Sequence, residues 1–234
     1  MSNVKEEDRR PIKQRERGYA KYLTRVLAKA GVTPNFISFT SIVFAALAGL
    51  CFYAISQATS AGDRVLLCLG AALFCQLRLL ANMLDGMVAV EAGKGGPDGP
   101  VWNELPDRFA DIAVLVGAGH GVAELGLGDA ALGWAAAVAA VMTAYVREVV
   151  RAAGAPADFS GPMAKPHRMF VMTMAALIAA TAPLWAGVHP QEFRRYDEAA
   201  MGQILHIALW IVLLGSTLTA LNRARRGLAL LRKR

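Results

Sequence analysis

Between positions 82 and 111 the chain sets Asn82, Asp85, Glu104, Asp107 and Asp111 at helical spacing, at the ends of segments that are otherwise apolar. Asp107 and Asp111 are four residues apart, so on a helix they share one face about 6 Å apart along the axis. Like charges at that separation repel, and a bound divalent cation relieves the repulsion. A carboxylate at membrane depth is also expensive unless a cation, a metal or a water-filled cavity accompanies it. Asp85 precedes Gly86 near the end of one apolar run, and the loop Gly93–Pro100 (GKGGPDGP) leads to the next. A short hairpin connection of this kind brings Asp85, Asp107 and Asp111 to similar depth on two antiparallel helices. Three carboxylates make an oxygen-rich site for Mg2+, Mn2+ or Ca2+. They do not make a zinc site, because no His or Cys lies nearby. A metal there can hold a diphosphate, and a further carboxylate can serve as general base.

The elements that must position these residues are helices in a membrane. The 234 residues are 55% hydrophobic and 18% charged, and the apolar residues fall in long runs. This predicts an all-α integral membrane protein rather than a soluble domain. The first 35 residues are charged and lack the apolar core of a signal peptide. Residues 1–18 are expected to form a flexible cytosolic tail. Residues 19–30 place Tyr19, Tyr22, Leu23, Val26 and Leu27 on one side, the pattern of an amphipathic helix lying in the interface. Gly31 ends it, and Thr33-Pro34 opens the six-helix domain 31–234 as N-cap and first helical residue. Six transmembrane helices are expected near 34–57, 64–91, 104–125, 129–152, 166–187 and 201–222, each with roughly the ~20 apolar residues a span needs.

Lys and Arg gather in the tail, the 92–103 loop, the 152–166 segment and the C-terminus, whereas 58–63 and 126–128 have none. The positive-inside rule then puts both termini and the acidic site in the cytosol. The exception is 188–200, where Arg194 and Arg195 are balanced by Glu192, Asp197 and Glu198. The formal charge of +7 flanks the apolar runs, which favours an anionic membrane surface over nucleic acid. Cys51, Cys68 and Cys75 lie inside apolar runs without ligand spacing and are expected to be packing residues.

At this point the residues resemble the CDP-alcohol phosphotransferase (CDP-alcohol phosphatidyltransferase) family. Its signature is D-x-x-D-G-x-x-A-R, a spacer, then G-x-x-x-D-x-x-x-D. This chain offers N-x-x-D-G-x-x-A-V, a spacer, then N-x-x-x-D-x-x-x-D, and Thr33-Pro34-Asn35 matches the T-P-N common at the family's first span. The resemblance implies transfer of a phosphatidyl group from CDP-diacylglycerol to a small alcohol acceptor, with release of CMP, in phospholipid biosynthesis. It implies Mg2+ or Mn2+ as cofactor, a homodimer, and a bacterial-type inner membrane. By motif position Asn82, Asp85, Asp107 and Asp111 match the metal-binding positions, Asp111 matches the catalytic base, and Asn35, Gly86, Ala89 and Asn103 fall at nucleotide-binding positions. Gly86 and Ala89 are small enough to admit the cytidine nucleotide to the helix backbone.

Three positions depart from the signature: Asn82 for aspartate, Val90 for arginine, and Asn103 for glycine. An amide oxygen can still ligate a hard cation but brings no charge. Glu104, near the same face as Asp107 and Asp111, is a candidate compensating ligand; the alternative is a helix-capping role. Arg147, Arg151, Lys165 and Arg168 flank the 152–166 segment. Similar residues bind the acceptor phosphate in branches of the family, which points to a phosphorylated polyol such as glycerol 3-phosphate or an inositol phosphate. Plain positive-inside anchoring accounts for them equally well. His120 and His206 within apolar spans are expected to bond between helices, and His167 adjoins the basic group. Two other functions fit parts of the pattern. A UbiA-like prenyltransferase would use Asn103, Asp107 and Asp111, but 126–187 holds only Asp129 and Asp158 and no second aspartate-rich motif. A non-catalytic CDP-lipid-binding membrane protein would account for the three departures.

Overall fold

The computed structural model describes residues 17–91, 93, 98–186 and 193–233. The expected tail lies almost wholly outside them, as does the centre of the Gly93–Pro100 loop. All regular structure among the described residues is helical. The helices are α1 (Gly18–Lys29), α2 (Pro34–Ala54), α3 (Ala61–Glu91), α4 (Gly99–Glu124), α5 (Ala131–Ala152), α6 (Lys165–Ala180), α7 (Ala182–Trp185) and α8 (Phe193–Leu231). Local chemistry sets several starts. Thr33 caps α2, its hydroxyl accepting from the Phe36 amide at 3.3 Å, with Pro34 following as expected. Ser60 and Asp63 close a reciprocal cap on α3: Ser60 Oγ accepts from the Asp63 amide and donates to its carboxylate. Gly31 leaves α1 with φ +75°, a turn that a side chain would strain.

Six helices pack as a closed ring in the order α2, α3, α6, α8, α5, α4. Small residues bring two of them very close. A Cβ at Gly117 would lie 2.3 Å from the Gly49 carbonyl oxygen, so α2 and α4 touch backbone to backbone. Outside the ring, α1 packs on α3. Its apolar stripe divides: Leu23 and Leu27 join the cluster of Ile37, Ala81, Leu84 and Val88, while Tyr19, Tyr22 and Val26 stay exposed.

Among the described residues four helices, α2, α3, α5 and α8, are long and apolar enough to cross a membrane. The other two expected spans fall short for identifiable reasons. The first half of α4 carries Glu104, Asp107, Arg108 and Asp111, and α6 is only 16 residues long before α7 turns off. Boundaries also differ from expectation: α4 begins at Gly99, five residues early, and α8 extends well beyond 201–222 at both ends. At the end of the ring opposite the acidic motif, Arg64 of α3 is buried against α8, 2.6 Å from Asp197 and 3.0 Å from Glu198. That pairing explains why acidic residues interrupt the apolar pattern ahead of the last span.

Candidate active site

The site forms where the C-terminal half of α3 faces the start of α4 and the start of α6. Helical spacing aligns Arg78, Asn82 and Asp85 along one face of α3, and Asp107 and Asp111 along one face of α4. Asn82 joins the two helices: its Nδ2 donates to Asp107 Oδ1 at 2.7 Å. That bond turns the amide oxygen outward, and Lys165 of α6 donates from Nζ to both Asn82 Oδ1 and Asp107 Oδ2. Asp85 sits beside this group and is buried. Its Oδ2 accepts from Ser38 of α2 at 2.7 Å and its Oδ1 from the Gly86 amide at 2.5 Å. It feels the charges of both Asp107 and Lys165.

Asp111 lies one turn deeper, fully buried, and both oxygens are taken by guanidiniums: Oδ1 by Arg78 Nη2 at 2.8 Å and Oδ2 by Arg168 Nη2 at 2.5 Å. The same Arg78 nitrogen donates to the Asp107 carbonyl at 3.3 Å. Arg168 is held in turn by the Met163 carbonyl and Thr143 Oγ1. The expectation of three carboxylates around one cavity therefore needs correction. Among the described residues no three His, Cys, Asp or Glu side chains group as a metal site, because Asp111 turns to the arginines and the third oxygen donor is an amide.

The other expected residues divide. Glu104 pairs with Arg147 at 2.5 Å and with Arg108 at 3.5 Å, and Arg108 in turn lies 3.6 Å from Asp107 Oδ2. Arg147 also bonds Glu148 and stacks over Phe159, so Glu104 holds a residue of the expected acceptor group. Arg151 is exposed near Glu148. Lys165 and Arg168 do not stand apart as an acceptor pair; they pair with Asp107 and Asp111. Asn35 bonds Asp98 at 3.4 Å, Asn103 and Val90 are exposed, and Gly86 and Ala89 are half-buried on α3. His206 does not bond from helix to helix as expected: it meets the Leu127 carbonyl in the connection between α4 and α5 and accepts from Trp210 on its own helix, α8. His167 is exposed.

Sequence reasoning missed Arg78 and Ser38. Arg78 carried a signal: it is the one charged residue between Arg64 and Asp85, where an unpaired cation is costly. Ser38 carried none, since a serine early in a helix has many uses.

A hard divalent ion fits this donor set. Asn82 Oδ1 and Asp107 Oδ2 already point at one cationic centre, and the Asp85 carboxylate is their neighbour. Oxygen donors of this kind suit Mg2+ or Mn2+.

Fold and site together define an all-helical membrane protein with an acidic helix pair whose oxygens converge on one cationic centre. The particular proteins it resembles are phosphatidylinositol phosphate synthases. The enzyme of that name from Mycolicibacterium smegmatis is 27% identical over 208 residues, covering 86% of this chain and 82% of the relative. The crystal structure of the Mycobacterium tuberculosis enzyme with manganese and citrate superposes with a TM-score of 0.66 at 19% identity, covering 89% of this chain and 88% of that one. Its structure with CDP-DAG bound gives 0.64 at 19% identity, covering 89% and 92%. No family model matches the chain. The resemblance to CDP-alcohol phosphotransferases read from the motif is thus borne out, and the chain shares their fold.

Proposed function

We propose that this chain is a metal-dependent phosphatidyltransferase of phospholipid biosynthesis, moving the phosphatidyl group of CDP-diacylglycerol to an alcohol acceptor and releasing CMP. The observation that carries this is the Asn82–Asp107 junction between α3 and α4, flanked by Asp85 and Asp111. Asn82, Asp85 and Asp107 would hold Mg2+ or Mn2+, which supplies positive charge to the diphosphate and to the leaving CMP. Asp111 takes the acceptor proton as general base; Arg78 and Arg168 occupy its two oxygens, and one of them must yield when the acceptor enters. Gly86 and Ala89 present a low surface to the cytidine, with Asn35 and Asn103 at the mouth. Arg147, Arg151 and Lys165 would give up carboxylate partners to meet an anionic acceptor, a phosphorylated polyol such as an inositol phosphate, with Arg168 behind them on Asp111.

In this reading the six ring helices all cross the membrane, α1 lies in the interface with Tyr19 and Tyr22 among the lipids, and the site opens to the cytosol at a bacterial inner membrane. The working unit is a homodimer. The test is CMP release by the purified protein from CDP-diacylglycerol across a panel of phosphorylated and unphosphorylated alcohols, with and without EDTA. Metal-dependent CMP release with at least one acceptor is expected. CDP-lipid binding without CMP release from any acceptor would instead identify a non-catalytic binding protein.

A further inference from the structure

We infer that Lys165 is an internal cation that competes with the divalent metal for Asn82 and Asp107, so that metal loading releases its ammonium and couples metal binding to acceptor binding. The inference rests on the metal site proposed above. The Lys165 Nζ donates to Asn82 Oδ1 and to Asp107 Oδ2, the two oxygens that face a common cation. An ammonium and a metal ion cannot both fill that position. Electrostatics decides which occupant holds more firmly. A carboxylate at position 82 would add a full negative charge and favour a divalent ion over a monovalent one. The neutral amide of Asn82 narrows that preference, so in this chain the ammonium is a serious competitor.

Lys165 is also the cation that can leave. Arg78 and Arg168 are buried and pinned on Asp111. Lys165 is the first residue of α6, follows an N-cap without a side-chain bond, and keeps 18% of its side chain exposed. Its flexible four-carbon stem can carry the ammonium outward without moving the helix. The released charge then lies beside the mouth of the site, where an anionic acceptor would meet it. Linkage makes the effect reciprocal: an anion that draws Lys165 away strengthens metal binding, and metal that displaces Lys165 strengthens anion binding by the same factor.

Mn2+ binding to the purified full-length chain, followed by the electron paramagnetic resonance of free Mn2+ without CDP-lipid, tests this. Lys165→Met is expected to bind Mn2+ about tenfold more tightly than wild type, within the range of ordinary coupling. Glycerol 3-phosphate, held well below concentrations that chelate Mn2+, should tighten Mn2+ binding in wild type but not in Lys165→Met. Should the variant fail to fold, wild type alone suffices: Mn2+ should increase amine-reactive labelling of Lys165, read by mass spectrometry. Equal or weaker Mn2+ binding by Lys165→Met, or labelling that Mn2+ leaves unchanged or lowers, overturns the inference while leaving metal-dependent CMP release intact. Absence of Mn2+ binding in wild type and variant alike removes the proposed metal site and this inference together.

Discussion

Asp111→Asn separates what the acidic motif does for the fold from what it does for chemistry. Asp111 is fully buried and holds Arg78 at 2.8 Å and Arg168 at 2.5 Å. The amide leaves two buried guanidiniums close together without their shared counter-charge. Removing one partner of a buried pair costs about 3–5 kcal/mol. Asp107 Oδ1, 3.7 Å from Arg78 Nη2, offsets part of this, so the lower end, ~3 kcal/mol, applies. At ~2–4 °C per kcal/mol for a chain of this size, the unfolding midpoint falls by roughly 6–12 °C. On the proposed mechanism the same change removes the general base and lowers CMP release by about 10²–10⁴-fold. The double variant Arg78→Met/Asp111→Asn restores the local net charge, since only Arg168 remains, and Arg168 keeps its bonds to Met163 and Thr143. It should regain at least half of the lost stability and none of the activity. Thermal unfolding in detergent and CMP release, measured on both variants, give the comparison. Full activity in Asp111→Asn refutes the base assignment, and activity that returns together with stability in the double variant shows that Asp111 acts through the fold.

Two further outcomes follow from the packing and the loops. Gly117→Ala places a methyl group 2.3 Å from the Gly49 carbonyl, so α2 and α4 must separate; a loss of about 1–3 kcal/mol is expected, whereas Gly99→Ala, which meets open space, should leave the unfolding midpoint unchanged. Asp158, in the connection between α5 and α6, gives a pH signature. Burial acts to raise its carboxyl, but donation from the Ser160 hydroxyl and amide and the nearby guanidiniums of Arg226 and Arg223 outweigh that and hold it below the usual carboxylate range. A depressed folded value means that its stabilisation is present above the unfolded pKa of about 3.9 and is lost as pH falls through the folded value. The midpoint difference between wild type and Asp158→Asn should therefore be visible at pH 7 and shrink as pH drops below about 4.

How far the sequence reached depends on whether a feature is local to one helix. Thr33-Pro34, Gly31 and the shared face of Asp107 and Asp111 were legible, because capping, positive φ and i,i+4 geometry need only neighbours in the chain. Partners across helices were not. Arg78 was visible as a costly cation, but nothing in its spacing says that α4 brings Asp111 to meet it. Glu104 shares roughly a face with Asp107, which made it a candidate ligand, yet α5 supplies Arg147 and claims it. The four basic residues expected as one acceptor group share a charge and a region, but carboxylates divide them: Arg147 meets Glu104 and shares Glu148 with Arg151, Lys165 meets Asp107, and Arg168 meets Asp111. The α4 and α6 spans were read from apolar length alone, and the structure shows that these two helices give part of that length to the site.

The departures from the signature make more sense as a redistribution of charge than as losses. Asn82 removes one negative charge and Val90 one positive charge. Arg78, one turn before Asn82, places a positive charge at a buried position, where it meets Asp111 and the Asp107 carbonyl. The outcome is four carboxylates, Asp85, Glu104, Asp107 and Asp111, among four cations, Arg78, Arg108, Lys165 and Arg168. A balanced set can be buried without an uncompensated charge. The same balance penalises a divalent ion that arrives alone, since it adds two positive charges to a neutral site. A metal arriving with a diphosphate adds almost none. The proposed donor and its metal therefore favour each other's entry, and the cation with a route out, Lys165, is displaced towards the acceptor as they come in.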